Sequence, residues 1–547
     1  MQPLANPDKN CTISTPLKIA EESYQRANQV IEWLRDYAPR RINTRLIDER
    51  RCITPHIVLD FGKQGLLGMI VPETYGGINL TYRDMLRVIE QIAAIDINLA
   101  TFVGLNNVLG IFPILKYGNE QTKETYLKPL AQGRDLAAFA ITEAHAGSNP
   151  RAIKTVAKPN KNGGWLLSGN KIWIGSASWA SVINVFAYIK DEQGKCQGMT
   201  AFSIPENARG LRQGPEALTM GMRGMVQNAV YLQEVPVNHN QVLGQIGAGF
   251  EVAQDAMQLG RLGIAAICLG GMKRCAQLMF RYAVRRSIAL DKLLYKSITL
   301  ERFSDLTAAI GAIECFLESI ATWLDEKLPL PQEVYLAAKI IAPELMWQTA
   351  DNFIQLLGGR GYIESNNAPQ ILRDVRLLRI FEGPTETLQM HLGMRAWYQP
   401  SELYSFINEK LEASEISAQI KRAVDFCNTY VRKKNPSPTE KPVLIQPLSK
   451  NLGDLTAWAL ILACIRKFYQ SKPTIELARV EKWLQQRLEL KLAIALEELP
   501  DHQTLLKANQ VEYLVSNYSE SIGDIELMIA GEDTELDPYI FGENSEI

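Results

Sequence analysis

A mainly helical α+β fold is what this 547-residue sequence predicts, and three observations predict it. Apolar residues recur at helical spacing through residues 17–137 and again from Gly249 to about residue 398. Between them, residues 138–245 break into short β-rich runs bounded by Gly, Asn and Pro. Helical patterning then returns over 450–535, after a polar and proline-rich interruption. The expected organisation is an N-terminal helical domain (17–137), a β domain (138–245), a second helical domain (246–400) and a C-terminal helical extension (401–547) with a linker near 432–442. A chain this long can bury roughly three or four packed units.

In the first domain, Arg83–Ile92 shows the helical period, and the loop Pro72–Gly77 separates two helices. In the second, Val182–Tyr188 and Met199–Ile204 are strands, and Leu166–Gly175 reads as a turn followed by a strand. In the third, Leu259, Leu262, Ile264, Ala265, Cys268 and Leu269 form an apolar helix face. A later helix ends at the glycine stop of Gln355–Tyr362. The stretch Arg432–Pro442 has the composition of an exposed linker. The last dozen residues are acidic and read as frayed.

Bulk composition excludes several classes. Charged residues are 22% and apolar ones 46%, ordinary for a globular protein, and a net charge of −2 gives no reason to expect nucleic acid as a partner. Eight cysteines contain no C-x-x-C pair and read as reduced intracellular thiols. Five histidines with no H-x-x-x-H indicate no metal centre. Met1–Asp8 lacks the regions of a signal peptide, and apolar stretches such as Leu455–Ile465 are too short to span a bilayer. No transmembrane segment and a cytoplasmic location are therefore expected.

Chemistry concentrates around Ile380–Thr387. Glu382 lies between Phe381, which limits water and raises a carboxyl pKa, and Gly383, which lets a ligand approach the backbone. That suits a base for a weakly acidic carbon-bound proton, although a Phe-Glu-Gly turn taken alone is more often a plain loop. Upstream, Ala138–Ser148 starts as a strand and breaks into a small-residue loop. Its Gly147 and Ser148 offer backbone N–H groups and a hydroxyl to an anion or a polar ring edge.

These pieces, with Leu166–Gly175 and Gln355–Tyr362, occur in the order that resembles the acyl-CoA dehydrogenase family, over roughly residues 20–400. The resemblance implies FAD held between a β-barrel-like domain and two helical domains, the second a four-helix bundle. It implies α,β-dehydrogenation of a thioester-linked acyl chain, with Glu382 removing the α proton and flavin taking the β hydride. A second branch of the family carries its base immediately before the arginine of Gln258-Leu259-Gly260-Arg261; that position is Gly260 here, which leaves Glu382. Phe139, Ile141, Thr142, Gly147 and Ser148 match the loop on the flavin ring, Ser148 also lying near the substrate carrier. Trp173 matches the tryptophan beside the isoalloxazine. Arg286, Gln355, Gly358 and Gly359 match positions that serve the neighbouring subunit's cofactor, and Thr385 and Glu386 match positions near the FAD diphosphate and ribose. Arg261 and Gly383 match substrate-side positions, with a surface ion pair as the plain alternative for Arg261.

Four departures stand out. Gly175 replaces the usual Thr or Ser whose hydroxyl meets the flavin, leaving a backbone N–H or Ser176 for that contact. Ala289-Leu290 replaces the usual Phe-Gly, Asn149 an acidic residue, and Glu386 a frequent Gln. The resemblance further implies a homodimer, the extension covering surface that shorter members use for tetramer contacts, and an electron-transfer flavoprotein as acceptor. Alternatives are the same reaction on an acyl carrier protein in natural-product biosynthesis, an acyl-CoA oxidase using oxygen, and a non-enzymatic assembly protein.

Overall fold

The computed structural model describes residues 15–499 and 506–523. The readings of Met1–Asp8 and of the acidic last dozen residues fall outside them. The N-terminal region is built on α1 (Thr15–Arg41), α2 (Tyr82–Ile95) and α3 (Ile97–Tyr117), with shorter helices at Thr44–Arg50, Pro55–Lys63 and Glu120–Ala131. Sequence explains these starts: Thr81 accepts from Asp84 N to cap α2, and Asp96 accepts from Leu99 N to cap α3. Met85, Val88, Ile89 and Ile92 then line the buried face of α2.

Eight strands follow: β1 (Ala137–Ala140), β2 (Val156–Pro159), β3 (Trp165–Gly175), β4 (Val182–Lys190), β5 (Cys196–Pro205), β6 (Leu211–Glu216), β7 (Gln227–Val237) and β8 (Val242–Leu243). They form one sheet in the order β6-β7-β3-β2-β4-β5-β8, with β1 parallel to β4. The continuous apolar run of β4 reflects burial on both faces. Ile183, Val185, Ala187 and Ile189 point into the core shared with β3 and β7, while Val182 and Phe186 join the core facing the helices. The turn expected inside Leu166–Gly175 is instead a bulge: β3 is one strand, its register against β7 shifting between Leu167 and Gly169 and again between Lys171 and Ile174.

A π-helical turn, Asn106–Ile111, interrupts α3 and docks the sheet. Asn184 of β4 donates to the Leu109 and Gly110 carbonyls, at 3.2 and 2.8 Å, and Asn106 Oδ1 accepts from Ala137 N of β1 at 3.0 Å.

The chain then enters α4 (Gly249–Arg285), the small hairpin β9 (Ser287–Ile288) and β10 (Asp291–Lys292), α5 (Ser297–Asp325), α6 (Gln332–Leu357), α7 (Asn367–Leu378) and α8 (Thr385–Tyr398). The expected apolar face of α4 is buried, and the burial extends around the helix, because α2 and α6 pack on it from different sides. Beyond lie α9 (Ser414–Lys434), α10 (Lys441–Ser471), α11 (Ile475–Ala495) and the short α12 (Ala508–Ser516).

Two expectations change here. The linker expected near 432–442 is shorter, a connection of residues 435–440 between two helices of the extension: α9 runs to Lys434, Asn435 (φ 43°) caps it, and α10 starts at Lys441. Both helices belong to the same continuous core as α1–α8. The apolar stretches are also longer in three dimensions than in sequence. Ile97–Tyr117, Ser297–Asp325 and Lys441–Ser471 are long and apolar enough to cross a membrane by length and composition. In the fold, 94%, 61% and 83% of their most apolar windows are buried against other elements.

The extension meets the second helical domain most closely where α10 crosses α8. A Cβ at Gly393 would lie 1.8 Å from Ser449 O, and one at Gly453 would lie 1.8 Å from Gln389 O. Only glycine at both positions permits that approach.

Candidate active site

The site forms around the loop from α7 to α8. Ile380 N and Phe381 N both donate to Leu377 O, and Thr385 N donates to Arg379 O, so the chain turns tightly through residues 379–385. The turn places Glu382 at φ 56° and Gly383 at φ 101°. A left-handed glutamate costs about 1–2 kcal/mol, so the surrounding contacts must hold it. At Gly383 a Cβ would also meet Leu388 Cδ2 at 2.7 Å.

Glu382 points into a slot between α3 and α4. Gly104 and Val108 line one wall and Gly260, Gly263 and Ile264 the other, with Phe381 beside the carboxylate. Thr101 also lines it, yet its hydroxyl donates to Ile97 O of its own helix, so the slot stays apolar. The Oε2 atom of Glu382 is buried and has no hydrogen-bond partner among the described residues. Burial raises its pKa, opposed by the positive charges of Arg261 and Lys339. Arg261 is itself buried, with an unpartnered Nε, which rules out a surface ion pair. Burial lowers its pKa against the pull of Glu382.

Across the slot, β3 ends beside α3: a Cβ at Gly175 would stand 3.6 Å from Leu105 Cδ1, and Leu105 lines the slot. Trp173 (φ 54°) stands on this strand with 65% of its surface exposed. Gly147 and Ser148 are exposed on the loop after β1, and Gly147 has open space where a Cβ would be. On the same segment Ile141 is buried and Phe139 half-buried, the Phe139 ring 4.8 Å from that of Phe186. Thr142 O accepts from Ile172 N, tying the loop to β3. Ser176 is buried and its N–H is taken by Val226 O at 2.8 Å, so its backbone does not offer the donor that Gly175 lacks.

A second group of candidates lies apart, at the joined ends of α4 and α6. Tyr282 Oη donates to Leu357 O, bringing Arg286 near Gln355, Gly358 and Gly359, all four exposed. Glu386 is exposed as well. Thr385 departs from expectation: it is buried, and its hydroxyl donates to Glu344 Oε1 at 2.8 Å instead of facing a ligand.

Sequence reasoning missed a buried network beneath the loop after β1. Lys171 donates to Glu143 Oε1 and Phe186 O, both at 2.8 Å, and to Ile141 O at 3.2 Å. Glu143 also accepts from the backbone of Lys154 and Thr155. It missed Lys339 and Glu344 on α6 too. The available signal was a lone charge inside an apolar run, as at Lys339 in Val334–Pro343.

Models of the acyl-CoA dehydrogenase N-terminal, middle and C-terminal domains match residues 25–134, 138–235 and 247–397. An acyl-CoA dehydrogenase of Bacillus subtilis (strain 168) is 30% identical over 330 residues, covering 60% of this chain and 86% of that relative. The chain belongs to the acyl-CoA dehydrogenase family. The very long-chain specific acyl-CoA dehydrogenase, mitochondrial, of Mus musculus is 30% identical over 336 residues, 60% of this chain. The match spans about half of that relative, 51% of its length. Among solved structures, an acyl-CoA dehydrogenase complexed with FAD from Bacillus anthracis superposes with a TM-score of 0.71 at 21% identity, over 93% of this chain and 92% of its own. That overlap includes most of the extension and shows a shared fold. The prolyl acyl carrier protein oxidase AnaB aligns with a TM-score of 0.64 at 23% identity, over 68% of this chain and 98% of its own.

Proposed function

We propose that this acyl-CoA dehydrogenase family member carries out FAD-dependent α,β-dehydrogenation of an acyl thioester, with Glu382 as the base. The observation that carries the reading is the unpaired, buried Oε2 of Glu382 at the wall of an apolar slot. A structural carboxylate in such a place would have a partner. One held free, with its pKa raised by burial, suits removal of an α proton from carbon.

The residues present fit a flat cofactor. Trp173 exposes most of its indole on β3, the strand that is tied through Ile172 to the loop bearing the exposed Gly147 and Ser148 and that ends at the wall of the slot. Bound FAD would supply the hydride acceptor that no side chain provides. In this reading Glu382 takes the proton at the glycine-lined wall of the slot, and the apolar lining excludes water. Arg286 with Gln355, Gly358 and Gly359, exposed together at one end, would serve the cofactor of a second copy, which makes the enzyme a homodimer. An electron-transfer flavoprotein as acceptor and a cytoplasmic location belong to the same proposal, although the mouse relative is named as mitochondrial.

A second reading keeps the chemistry and changes the carrier to an acyl carrier protein. The fold likeness to a prolyl acyl carrier protein oxidase supports it. One experiment tests both: anaerobic bleaching of the bound flavin, screened with matched acyl groups on coenzyme A and on a carrier protein. Bleaching by neither set removes the proposal, and peroxide formed stoichiometrically in air would make the enzyme an oxidase.

A further inference from the structure

The loop bearing Glu382 is held from one helix. Lys339, in the N-terminal third of α6, is fully buried. Its Nζ donates to Leu378 O at 2.7 Å and to Gly383 O at 3.2 Å, the carbonyls that bracket Glu382. No carboxylate lies within ion-pair distance of it among the described residues. Five residues on, Glu344 takes the outer side of the same loop. Its Oε1 accepts from Arg379 Nε at 2.7 Å and from Thr385 Oγ1 at 2.8 Å.

An ammonium group buried without a counter-ion is costly, and backbone carbonyls offset that cost only in part. A lysine whose task was packing could be replaced by a methionine of similar length at no such cost. Here the charge and both hydrogen bonds are spent on the two ends of a strained segment, Glu382 at φ 56° and Gly383 at φ 101°.

We propose that Lys339 is a positioning residue for the base: it holds the Leu378–Gly383 loop in its left-handed conformation, and its positive charge keeps Glu382 ionisable inside the apolar slot. This rests on the reading of Glu382 as base.

Three other groups bear on the pair of Lys339 and Glu382: Arg261 and Cys268 face it from α4, and Glu344 sits on α6 itself. Burial brings the Lys339 ammonium down to about 8, so it is charged at neutral pH. Among the described residues, Lys339 is the one cation near Glu382 that also grips the backbone on both sides of it. Arg261 contributes charge alone.

The test compares Lys339→Met, Lys339→Gln and Glu382→Gln as full-length holoenzymes, each scored for bound FAD, the rate of anaerobic flavin reduction and the pH midpoint of that rate. Lys339→Met should keep its flavin and lose about 10²-fold in reduction rate, the size of effect that a misplacement of about 1 Å produces. Its pH midpoint should move upward, because the charge that favours ionised Glu382 is gone. Lys339→Gln keeps an N–H donor without the charge; it should recover part of the rate and retain the raised midpoint. It carries the test alone if Lys339→Met does not fold. A purely structural lysine would alter thermal stability while leaving rate and midpoint within a few-fold and a few tenths of a pH unit of the parent, and that result overturns the proposal. Activity of Glu382→Gln near the parent's would instead remove the base assignment, so the two failures are distinct.

Discussion

A Cβ placed on Gly260 would stand 3.7 Å from Glu382 Oε2. Two positions 122 residues apart in the chain therefore address the same point of the slot, one from helix α4 and one from the α7–α8 loop. The glycine leaves that point open to the carboxylate opposite it.

Replacing Glu382 with glutamine removes basicity at nearly constant volume. We expect flavin binding and fold to persist and dehydrogenation to fall about 10²–10⁴-fold. Stopped-flow reduction with an active acyl thioester measures it, and a loss of only a few-fold would assign the base elsewhere.

Because positions 260 and 382 converge, the carboxylate should be transferable. Gly260→Glu alone should impair the enzyme, since two carboxylates in one apolar slot raise each other's pKa. Combined with Glu382→Gln it should regain part of the lost rate. A double variant no faster than Glu382→Gln itself would show that the two positions are not equivalent in reach.

Asp374 predicts a pH dependence of stability. It is buried, accepting from Met222 N at 2.6 Å and Asn98 Nδ2 at 3.2 Å. Burial first, and the nearby Asp96 second, push its pKa up to about 8 from an ordinary 3.8. The folded state thus holds a proton that the unfolded chain releases. This contribution is fully present below about pH 4 and is lost as pH rises toward 8. Burial pushes Asp96 up to about 6, with the same sign. Thermal unfolding from pH 5 to 8.5 should show the midpoint falling, and a flat profile would contradict the assignment.

Arg286→Ala should weaken FAD retention by removing a planar donor suited to phosphate oxygens. The effect should appear only in an assembly, because Arg286 and Gly358–Gly359 lie apart from their own slot. Full flavin occupancy in a monomer, by light scattering with absorbance, would dismiss the shared site.

At the α8–α10 crossing, Gly453→Ala pushes a methyl group into Gln389 O. We expect a stability loss of about 1–3 kcal/mol, the usual cost of overpacking. Denaturant titration measures it, and a neutral result would mean that the helices part easily.

Much of the fold was legible because periodicity reports burial directly. Met85, Val88, Ile89 and Ile92 mark one helix face, and the unbroken run of β4 marks a strand covered on both sides. Composition was a poorer guide to connections. Pro436-Ser437-Pro438 reads the same whether it joins two domains or two packed helices, and Ser168-Gly169-Asn170 reads the same as a turn or a bulge. At the candidate site, the segment around Glu382 stood out through its flanking Phe381 and Gly383. Its supports did not: Lys339 and Glu344 are single charges in an apolar run, Lys171 follows a polar turn-like stretch, and pattern alone does not say which distant group each one meets.

The glycine crossing of α8 and α10 bears on how such a chain could lose or acquire its last 150 or so residues. Helix α8 begins at Thr385, directly after the Glu382 turn, and Gly393 leaves a shallow trough on it that α10 fills. Removing α10 would bare that trough two turns from the proposed base. The extension is thus not a late ornament that could be shed at will. A trimmed descendant would need another surface, such as that of a sister molecule, to occupy the trough in its place.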